Sequence, residues 1–400
     1  MDKVTQPPKK ATHQLTKQHN RDLVLRTIFD HETISRAGIA RLTQLTRTTV
    51  SDVVSGLMEE GLVEEVGPGS SIGGKPSIQL RLVADSRYLI GVNLAQNKFI
   101  ASVINLRGEI KKTAEASVTG EAANAAIQQV YQILDPLVKE QWKPIVGIGV
   151  GAPGLINTRA GIVVNAVNLD WEDLSLASLL EERYGLPVRL LNDSQATAIG
   201  EFVHGDHRSN GNLIVVNVSH GIGAGILIHG RLFQGDGGGA GEIGHIQVEQ
   251  GEAVDGLVCR CGRQGCLETR ASGRAIVQRV QRQPGRSRVD SLEAIEAKFH
   301  ANDTVIEEIV LDAGRSLGIA IGGLVGTLNI KNILLTGDVT RFGPRWLEAV
   351  QQGMRQAALE RMVQDTKLDM GKLDYRACIL GASAYLLLDD YSLLFLHKEN

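Results

Sequence analysis

One phrase of sequence that occurs twice decides the fold: YLIGVNLAQNKFIASVINLRGE (88–109) and, about 124 positions later, NLIVVNVSHGIGAGILIHGRLFQG (212–235). Each copy is an apolar run, a turn and a second apolar run, which predicts paired strands at 88–94 and 99–105, and again at 212–218 and 223–230. A third strand is expected at 109–116. Two such units, each followed by helical segments, predict a duplicated α/β domain with a central cleft.

The rest of that domain follows from shorter signals. The glycine- and alanine-rich run GRSLGIAIGGLVGTLN (314–329) predicts a buried helix that leads into the strand NILLTG (332–337). We expect the duplicated domain to span residues 85–400, with its second lobe starting near residue 195.

Length and composition limit the class of protein. A chain of 400 residues predicts two or three domains, and 43% hydrophobic against 22% charged residues is enough to fill their cores. The 45 glycines and the aromatic share of 4% suit an α/β protein with many tight turns. We expect no membrane helix, because no apolar run approaches the roughly 20 residues that such a helix needs. The N-terminus also has no apolar signal segment. We therefore expect a cytoplasmic protein.

The N-terminal part carries a different pattern. Apolar residues at helical spacing, with Ser35 and Thr46 as N-caps and Gly61 as a C-terminal stop, predict three helices. Two strands at 62–66 and 78–83 follow, joined by the glycine-rich turn 67–77. Three helices and a two-stranded ribbon predict a winged helix-turn-helix over residues 19–84, preceded by a flexible arm at 1–18.

This head is basic and is predicted to bind double-stranded operator DNA. Residues 1–50 hold nine Lys/Arg and four Asp/Glu, a net charge of +5, while the whole chain has −3. In a helix-turn-helix the start of the second helix reaches base edges and phosphates, and here that segment supplies Arg47, Thr48, Thr49 and Ser51. Lys75, at the tip of the wing, is a further candidate for a DNA contact. A small protein-interaction domain is the alternative.

Three of the four cysteines form a metal-binding pattern, CRCGRQGC (259–266). Cys259, Cys261 and Cys266 lie within eight positions, and zinc takes four thiolate or imidazole ligands in a tetrahedron. His245 is the expected fourth ligand, with Cys378 as the alternative. We predict one structural zinc ion per chain, because four protein ligands leave no open position for catalysis; a loop of free thiols is the competing interpretation.

A set of polar residues in the middle of the chain predicts a sugar site. Carboxylates and amides together suit sugar hydroxyls, which need donors and acceptors in fixed directions. Any one of these residues alone favours a surface or capping role over a sugar contact, and it is the set together that favours a sugar site. The candidates are Asn168, Asn192, Asp193, Glu242, His245 and Glu268.

At these residues the sequence resembles the ROK family of repressors and sugar kinases. GAPGLI (151–156), NLDW (168–171), LLND (190–193), AGEIGH (240–245) and CRCGRQGCLE (259–268) are similar to the family's motifs, and the similarity covers nearly the whole chain. The head segments 35–54 and 71–76 resemble the repressor branch, which includes xylose and N-acetylglucosamine repressors. The resemblance implies an actin/hexokinase-like (ribonuclease H-like) sugar-kinase fold, zinc on the three cysteines and His245, and sugar contacts at the six residues above. In the family's kinases, the aspartate matching Asp193 accepts the proton of the attacking hydroxyl.

Departures from the kinase pattern point to the repressor branch. Kinases of the family carry Asp-Ile-Gly-Gly-Thr, Gly-Thr-Gly-Ile-Gly and Gly-Gly loops for the nucleotide, whereas this chain has NLAQN (93–97), SHGIG (219–223) and TG (336–337). Phosphoryl transfer depends on such positioning groups. We therefore predict a repressor of carbohydrate-utilisation genes that is not an enzyme, controlled by a sugar or sugar phosphate and acting as a homodimer. An active kinase with an attached head, and a repressor controlled by a protein partner, remain the alternatives, as does pairing of dimers into a tetramer.

Overall fold

The computed structural model describes residues 13–69, 76–95, 98–118, 123–140, 142, 144–205, 207, 210–248 and 257–389. The head contains α1 (His13–Phe29), α2 (Arg36–Thr43) and α3 (Arg47–Glu59), with strands β1 (Ile34–Ser35), β2 (Val63–Pro68) and β3 (Ile78–Leu82). Helix α1 begins at His13, inside the segment 1–18 that the sequence predicts as a flexible arm. The short strand β1 pairs with β3, so the expected two-stranded ribbon has three strands.

The predicted capping residues form the head's helix ends. The Ser35 hydroxyl accepts a hydrogen bond from the Gly38 N–H, and the Thr46 hydroxyl accepts one from the Thr49 N–H. Gly61 follows the end of α3 and has a φ of +70°. This left-handed conformation is typical of the residue that ends a helix. These local contacts, and a buried apolar face on each helix, produce the winged helix-turn-helix.

The first lobe is built on a five-stranded sheet of order β11-β7-β4-β5-β6. Strand β4 is central, antiparallel to β5 and parallel to β7. A small sheet of β8, β9 and β10 belongs to the same lobe. The elements are β4 (Tyr88–Ala95), β5 (Lys98–Asn105), β6 (Ile110–Ser117), α4 (Ala123–Lys139), β7 (Ile145–Ala152), β8 (Leu155–Asn157), β9 (Ile162–Ala166), β10 (Trp171–Leu174), α5 (Leu176–Tyr184) and β11 (Val188–Asn192).

The second lobe repeats this topology in a sheet of order β14-β13-β12-β15-β16. Its first strand is again central, antiparallel to the second strand and parallel to the fourth. This agreement confirms the predicted duplication. The elements are α6 (Asp193–His204), which connects the lobes, β12 (Leu213–Val218), β13 (Ile222–Ile228), β14 (Arg231–Phe233), α7 (Glu268–Ala271), α8 (Gly273–Gln281), α9 (Leu292–His300), α10 (Thr304–Leu328), β15 (Asn332–Thr336), α11 (Pro344–Ala357), α12 (Glu360–Gln364) and β16 (Lys367–Met370).

The last described helix, α13 (Arg376–Asp389), returns to the first lobe. It packs against α6 and against strands β4 and β7. The approach is so close that a Cβ at Gly381 would overlap the backbone oxygen of Ala196. Helix α13 therefore belongs with the first sheet, although it follows the strands of the second lobe in the chain.

Helix α10 overturns one expectation from composition. Among the described residues, α10 is the one helix that is long and apolar enough to cross a membrane, with 25 residues. The expectation that no apolar segment approaches the length of a membrane helix is therefore wrong for α10, by length and composition. More than half of the most apolar part of this helix is buried inside the protein. Gly314 packs against Trp346 of α11, and Gly318 packs against Val350 of the same helix. A core helix meets the same criteria of length and composition.

The head is docked on the first lobe. The Arg107 guanidinium donates hydrogen bonds to the backbone oxygens of Phe29 (2.6 Å) and His31 (2.7 Å). Leu386 and Leu387, at the end of α13, are buried in the same apolar cluster as the head's helices. The head core is therefore continuous with the helix that packs against α6 and the first sheet.

Candidate functional site

A cavity of about 930 Å³ lies between the lobes, and all six polar residues singled out in the sequence line it. They come from distant parts of the chain: the turn after β9, the junction of β11 and α6, the loop after β14, and α7. The structure therefore brings together Asn168, Asn192, Asp193, Glu242, His245 and Glu268.

Asn192 shapes one wall of this cavity. Its side-chain oxygen accepts hydrogen bonds from the N–H groups of Ser194 (2.9 Å) and Gln195 (3.3 Å), which caps α6. Its amide nitrogen donates to the oxygen of Gly154 at 3.0 Å. Gly154 has a φ of +86°, and a Cβ there would overlap the oxygen of Asn165, so the loop needs glycine. Asn192 thus holds the loop and the helix start in place.

Three carboxylates converge in the cavity. Burial, with a contribution from the charge of Glu268, raises the pKa of Asp193 to about 6. Burial and the charges of Asp193 and Glu268 raise the pKa of Glu242 to about 7. Glu268 accepts a long hydrogen bond from the Ile222 N–H at 3.4 Å. Carboxyl groups that exchange protons near neutral pH can donate to hydroxyl groups as well as accept from them.

The predicted metal ligands form one cluster. The ligand atoms of His245, Cys259, Cys261 and Cys266 all lie within 4.8 Å of one another. All three cysteines are free thiols. The alternative ligand Cys378 lies in α13, under Gly151 of the first sheet, and is not part of the cluster. Three thiols and an imidazole at this spacing could hold a metal ion.

His245 joins this cluster to the cavity. Its Nδ1 lies 3.5 Å from the Cys259 sulfur, and its Nε2 lies 3.9 Å from a carboxylate oxygen of Glu242. One ring nitrogen therefore faces the thiols while the other faces the cavity. The two assignments made to His245 from the sequence are geometrically compatible.

Arg260 is a cavity residue that the sequence reasoning missed. It lies between Cys259 and Cys261, and its guanidinium contacts the side-chain oxygen of Asn168 and the Nε2 of His220. Both partners also line the cavity. The sequence offers one signal for Arg260: a side chain between two metal-binding cysteines is expected to point away from the metal. The spacing does not identify the residues that this side chain contacts.

The predicted DNA contacts lie at the start of α3. Arg47 and Thr48 are exposed, whereas Thr49 and Ser51 are half-buried. The Thr49 hydroxyl lies 2.9 Å from that of Thr46, which ties it to the helix cap. Lys75 lies outside the described residues.

The three segments that the resemblance matches to the kinase loops contribute residues to the same cavity. Asn93, Ser219, His220 and Gly337 all line it, while the residues at 96 and 97 lie outside the described part of the chain. The Ser219 hydroxyl donates to Asn217 (3.3 Å) and accepts from the Asp338 N–H (3.1 Å). These bonds hold the turn after β12 against the turn after β15.

Comparison with known proteins identifies the family. The model of the ROK family matches residues 89–389. A putative xylose repressor of Caldicellulosiruptor sp. (strain Rt8B.4) is 33% identical, over 95% of this chain and 98% of its own length. A crystal structure of a ROK family transcriptional regulator, a homolog of the E. coli MLC protein, superposes with a TM-score of 0.82 at 25% identity, covering 95% of this chain and 98% of its own. A ROK family glucokinase from Streptomyces griseus in complex with glucose and AMPPNP gives 0.63 at 28% identity, covering 74% of this chain and 98% of its own. The chain therefore belongs to the ROK family.

Proposed function

We propose that the protein is a DNA-binding transcriptional repressor of carbohydrate-utilisation genes whose operator affinity is set by a sugar bound in the cleft. The observation that carries the proposal is the combination of a winged helix-turn-helix with a polar interlobe cavity in one docked structure. The similarity to repressors covers the head as well as the body, which supports the same function.

The cavity supplies the chemistry for the sugar. Asp193, Glu242 and Glu268 accept hydrogen bonds from ring hydroxyls, and Asn168, Asn192 and His245 complete the set. The partly protonated carboxyls of Asp193 and Glu242 suit the hydroxyl groups of a sugar ring, because they offer donors without placing full negative charge in a buried site.

The head binds operator DNA through the start of α3. Arg47 and Thr48 are exposed there, and Thr49, Ser51 and Lys75 extend the contact surface proposed from the sequence. One helix-turn-helix covers a half-site, so the protein acts as a homodimer on its operator, in the cytoplasm.

The docked head offers a route from sugar to DNA. A sugar that closes the cleft moves α6 and the helix α13 packed on it, and α13 ends in the head core. Sugar then changes operator affinity to the extent that it binds the two arrangements of the head with different affinity.

One structural zinc ion completes the effector domain. His245, Cys259, Cys261 and Cys266 would hold it, since three thiols and an imidazole within 4.8 Å match a closed tetrahedral site. With an ion on these four residues, the loop that carries Arg260 would be cross-linked and His245 would be fixed beside Glu242. The zinc-binding residues therefore shape the sugar site without taking part in a reaction.

An ATP-dependent sugar kinase is the second candidate. Asp193 favours it, because a carboxyl with a pKa of about 6 at the start of α6 could accept a hydroxyl proton. The replaced loops disfavour it: His220 fills a position beside the cavity, and Asn93 lacks a carboxylate for a metal-bound phosphate. A coupled ATP-hydrolysis assay with candidate sugars decides, and turnover near ~1 per second would favour the kinase.

Gel-shift titration of operator DNA tests the primary proposal. The sugar effector should weaken operator binding, and Arg47→Ala should weaken it with sugar affinity unchanged. Arg41→Ala, on the preceding helix α2, is the matched control, since Arg41 is also an exposed arginine of the head. Equal operator affinity with every sugar and sugar phosphate would contradict the proposal.

A further inference from the structure

We propose that Arg260 and His220 form a phosphate subsite beside the sugar contacts, so that the effector is a phosphorylated sugar. The inference rests on the proposed sugar-responsive function and names the ligand class for the same cleft. It begins from the position of Arg260, whose guanidinium lies between Asn168 of the first lobe and His220 of the second.

The subsite adjoins the residues proposed to bind the sugar. Asn168, which Arg260 contacts, is one of the six, and Gly221, which follows His220, lies against the Glu268 carboxylate. A Cβ at Gly221 would come within 2.8 Å of that carboxylate, so the backbone passes close to it. A substituent on a sugar ring held by Glu268 and Asn168 therefore reaches His220 and Arg260 without a second pocket.

Charge is distributed unevenly around the cavity. Arg274 of α8 stands 3.7 Å from Glu268 on the same side as Arg260. Burial, with smaller contributions from the positive charges of Arg260 and Arg274, lowers the pKa of His220 to about 4, so its imidazole is neutral at neutral pH. In another part of the cavity, the negative charge of Asp193 contributes to raising the pKa of Glu242. The cavity thus offers the Asp193 and Glu242 carboxyls for hydroxyl groups and, beside Glu268, a group of cationic side chains for an anion.

The donors beside Glu268 match a phosphate ester. A guanidinium presents parallel N–H groups that suit two phosphate oxygens, and an imidazole supplies a third contact. Arg260 is half-buried in the cavity wall, so an anion beside its guanidinium makes charge-assisted hydrogen bonds that a neutral sugar does not make.

The test compares matched ligands on matched variants of the full-length protein. Calorimetric titration uses glucose, N-acetylglucosamine and xylose, their phosphate esters, glucuronate and inorganic phosphate. For at least one sugar, the phosphate ester should bind about 10- to 100-fold more tightly than the neutral form, as expected for charge-assisted hydrogen bonds. Arg260→Ala should remove most of that preference; loss of its Asn168 contact also weakens binding of the neutral sugar, but by less than it weakens binding of the ester.

Arg263→Ala is the control variant, because Arg263 is exposed on the same loop and does not line the cavity. His220→Gln should weaken phosphate-ester binding in the same direction as Arg260→Ala, which keeps the test informative if one variant fails to fold. A zinc content equal to that of the wild type shows that the loop is intact.

Several results would overturn the subsite. These are equal affinity for neutral and phosphorylated sugars, an equal loss for both in Arg260→Ala, tighter binding of glucuronate, or inorganic phosphate binding as tightly as the esters. A neutral sugar that alone releases the operator would overturn the subsite and leave the repressor proposal standing. Failure of every ligand to bind or to release the operator would instead remove the proposed function itself.

Discussion

Replacing Asp193 with asparagine should stabilise the sugar-free protein above pH 6 and weaken its binding of sugar. The pKa of Asp193 is about 6 in the folded protein, against an ordinary value of 3.8, chiefly because the carboxylate is buried. A difference of about two units corresponds to roughly 3 kcal/mol of destabilisation once the group is ionised in both states. An asparagine amide at this position would be neutral and so would not bear this cost.

The sign and the pH window follow from proton linkage. Between pH 3.8 and about 6 the folded state holds more of this proton than the unfolded state, so stability falls as the pH rises through that range. From about pH 5 to about pH 8 the wild type should lose about 1.4 kcal/mol from this group, and the variant should not. The asparagine oxygen can still accept from the Ser194 N–H, which Asp193 accepts at 2.7 Å, so the helix start is preserved.

Thermal and urea unfolding at four pH values between about 5 and about 8 measure the effect. At the highest of these we expect Asp193→Asn to gain about 1–3 kcal/mol, with a sugar affinity lower by about 10- to 100-fold because a charged acceptor is lost. Asp236→Asn, a change at an exposed aspartate outside the cavity, is the control. A variant no more stable than wild type at that pH, or one that binds sugar equally well, would refute the reasoning.

Three further perturbations test other parts of the structure. Arg107→Ala removes two hydrogen bonds to the head, so limited proteolysis should release the head faster and sugar should change operator affinity less; an unchanged sugar response would contradict the coupling route. Cys261→Ser should lower the zinc content, measured by atomic emission, from one per chain to near zero and weaken sugar binding, whereas normal sugar affinity without zinc would show that the loop does not shape the site. Thr46→Ala removes the cap of α3 and should cost about 1 kcal/mol, read from the melting of the head; a loss of less than about 0.3 kcal/mol would mean that the cap bond is not made in solution.

Much of the fold could be predicted because its signals are local. Ser35 and Thr46 begin their helices and Gly61 follows the end of α3 as predicted, since a cap depends on the few residues around it. The repeated strand phrase predicted the duplication, because period-two and buried-strand patterns are properties of the segment itself. The start of helix α10 was predicted too late, at residue 314, whereas the helix begins at Thr304 in the structure.

The return of α13 to the first lobe could not be predicted. Its place depends on which surface buries its apolar side chains and on glycines such as Gly381 that allow close approach to α6. A helix of similar composition could cover either sheet, so the choice is made by packing across distant parts of the chain.

The sequence by itself determined the types of chemistry available: three cysteines at a metal-binding spacing with His245 or Cys378 as the fourth ligand, six polar residues suited to hydroxyls, and a basic head with capped helices. Only the tertiary structure decided which of these groups meet. It placed His245 between the thiols and Glu242, turned Arg260 toward Asn168 and His220, and docked the head beside the end of α13. The physical reason is that residue type and local spacing specify what a side chain can do, whereas its partners and its charge environment arise from distant segments, which for Arg260 lie 40 and 92 positions away.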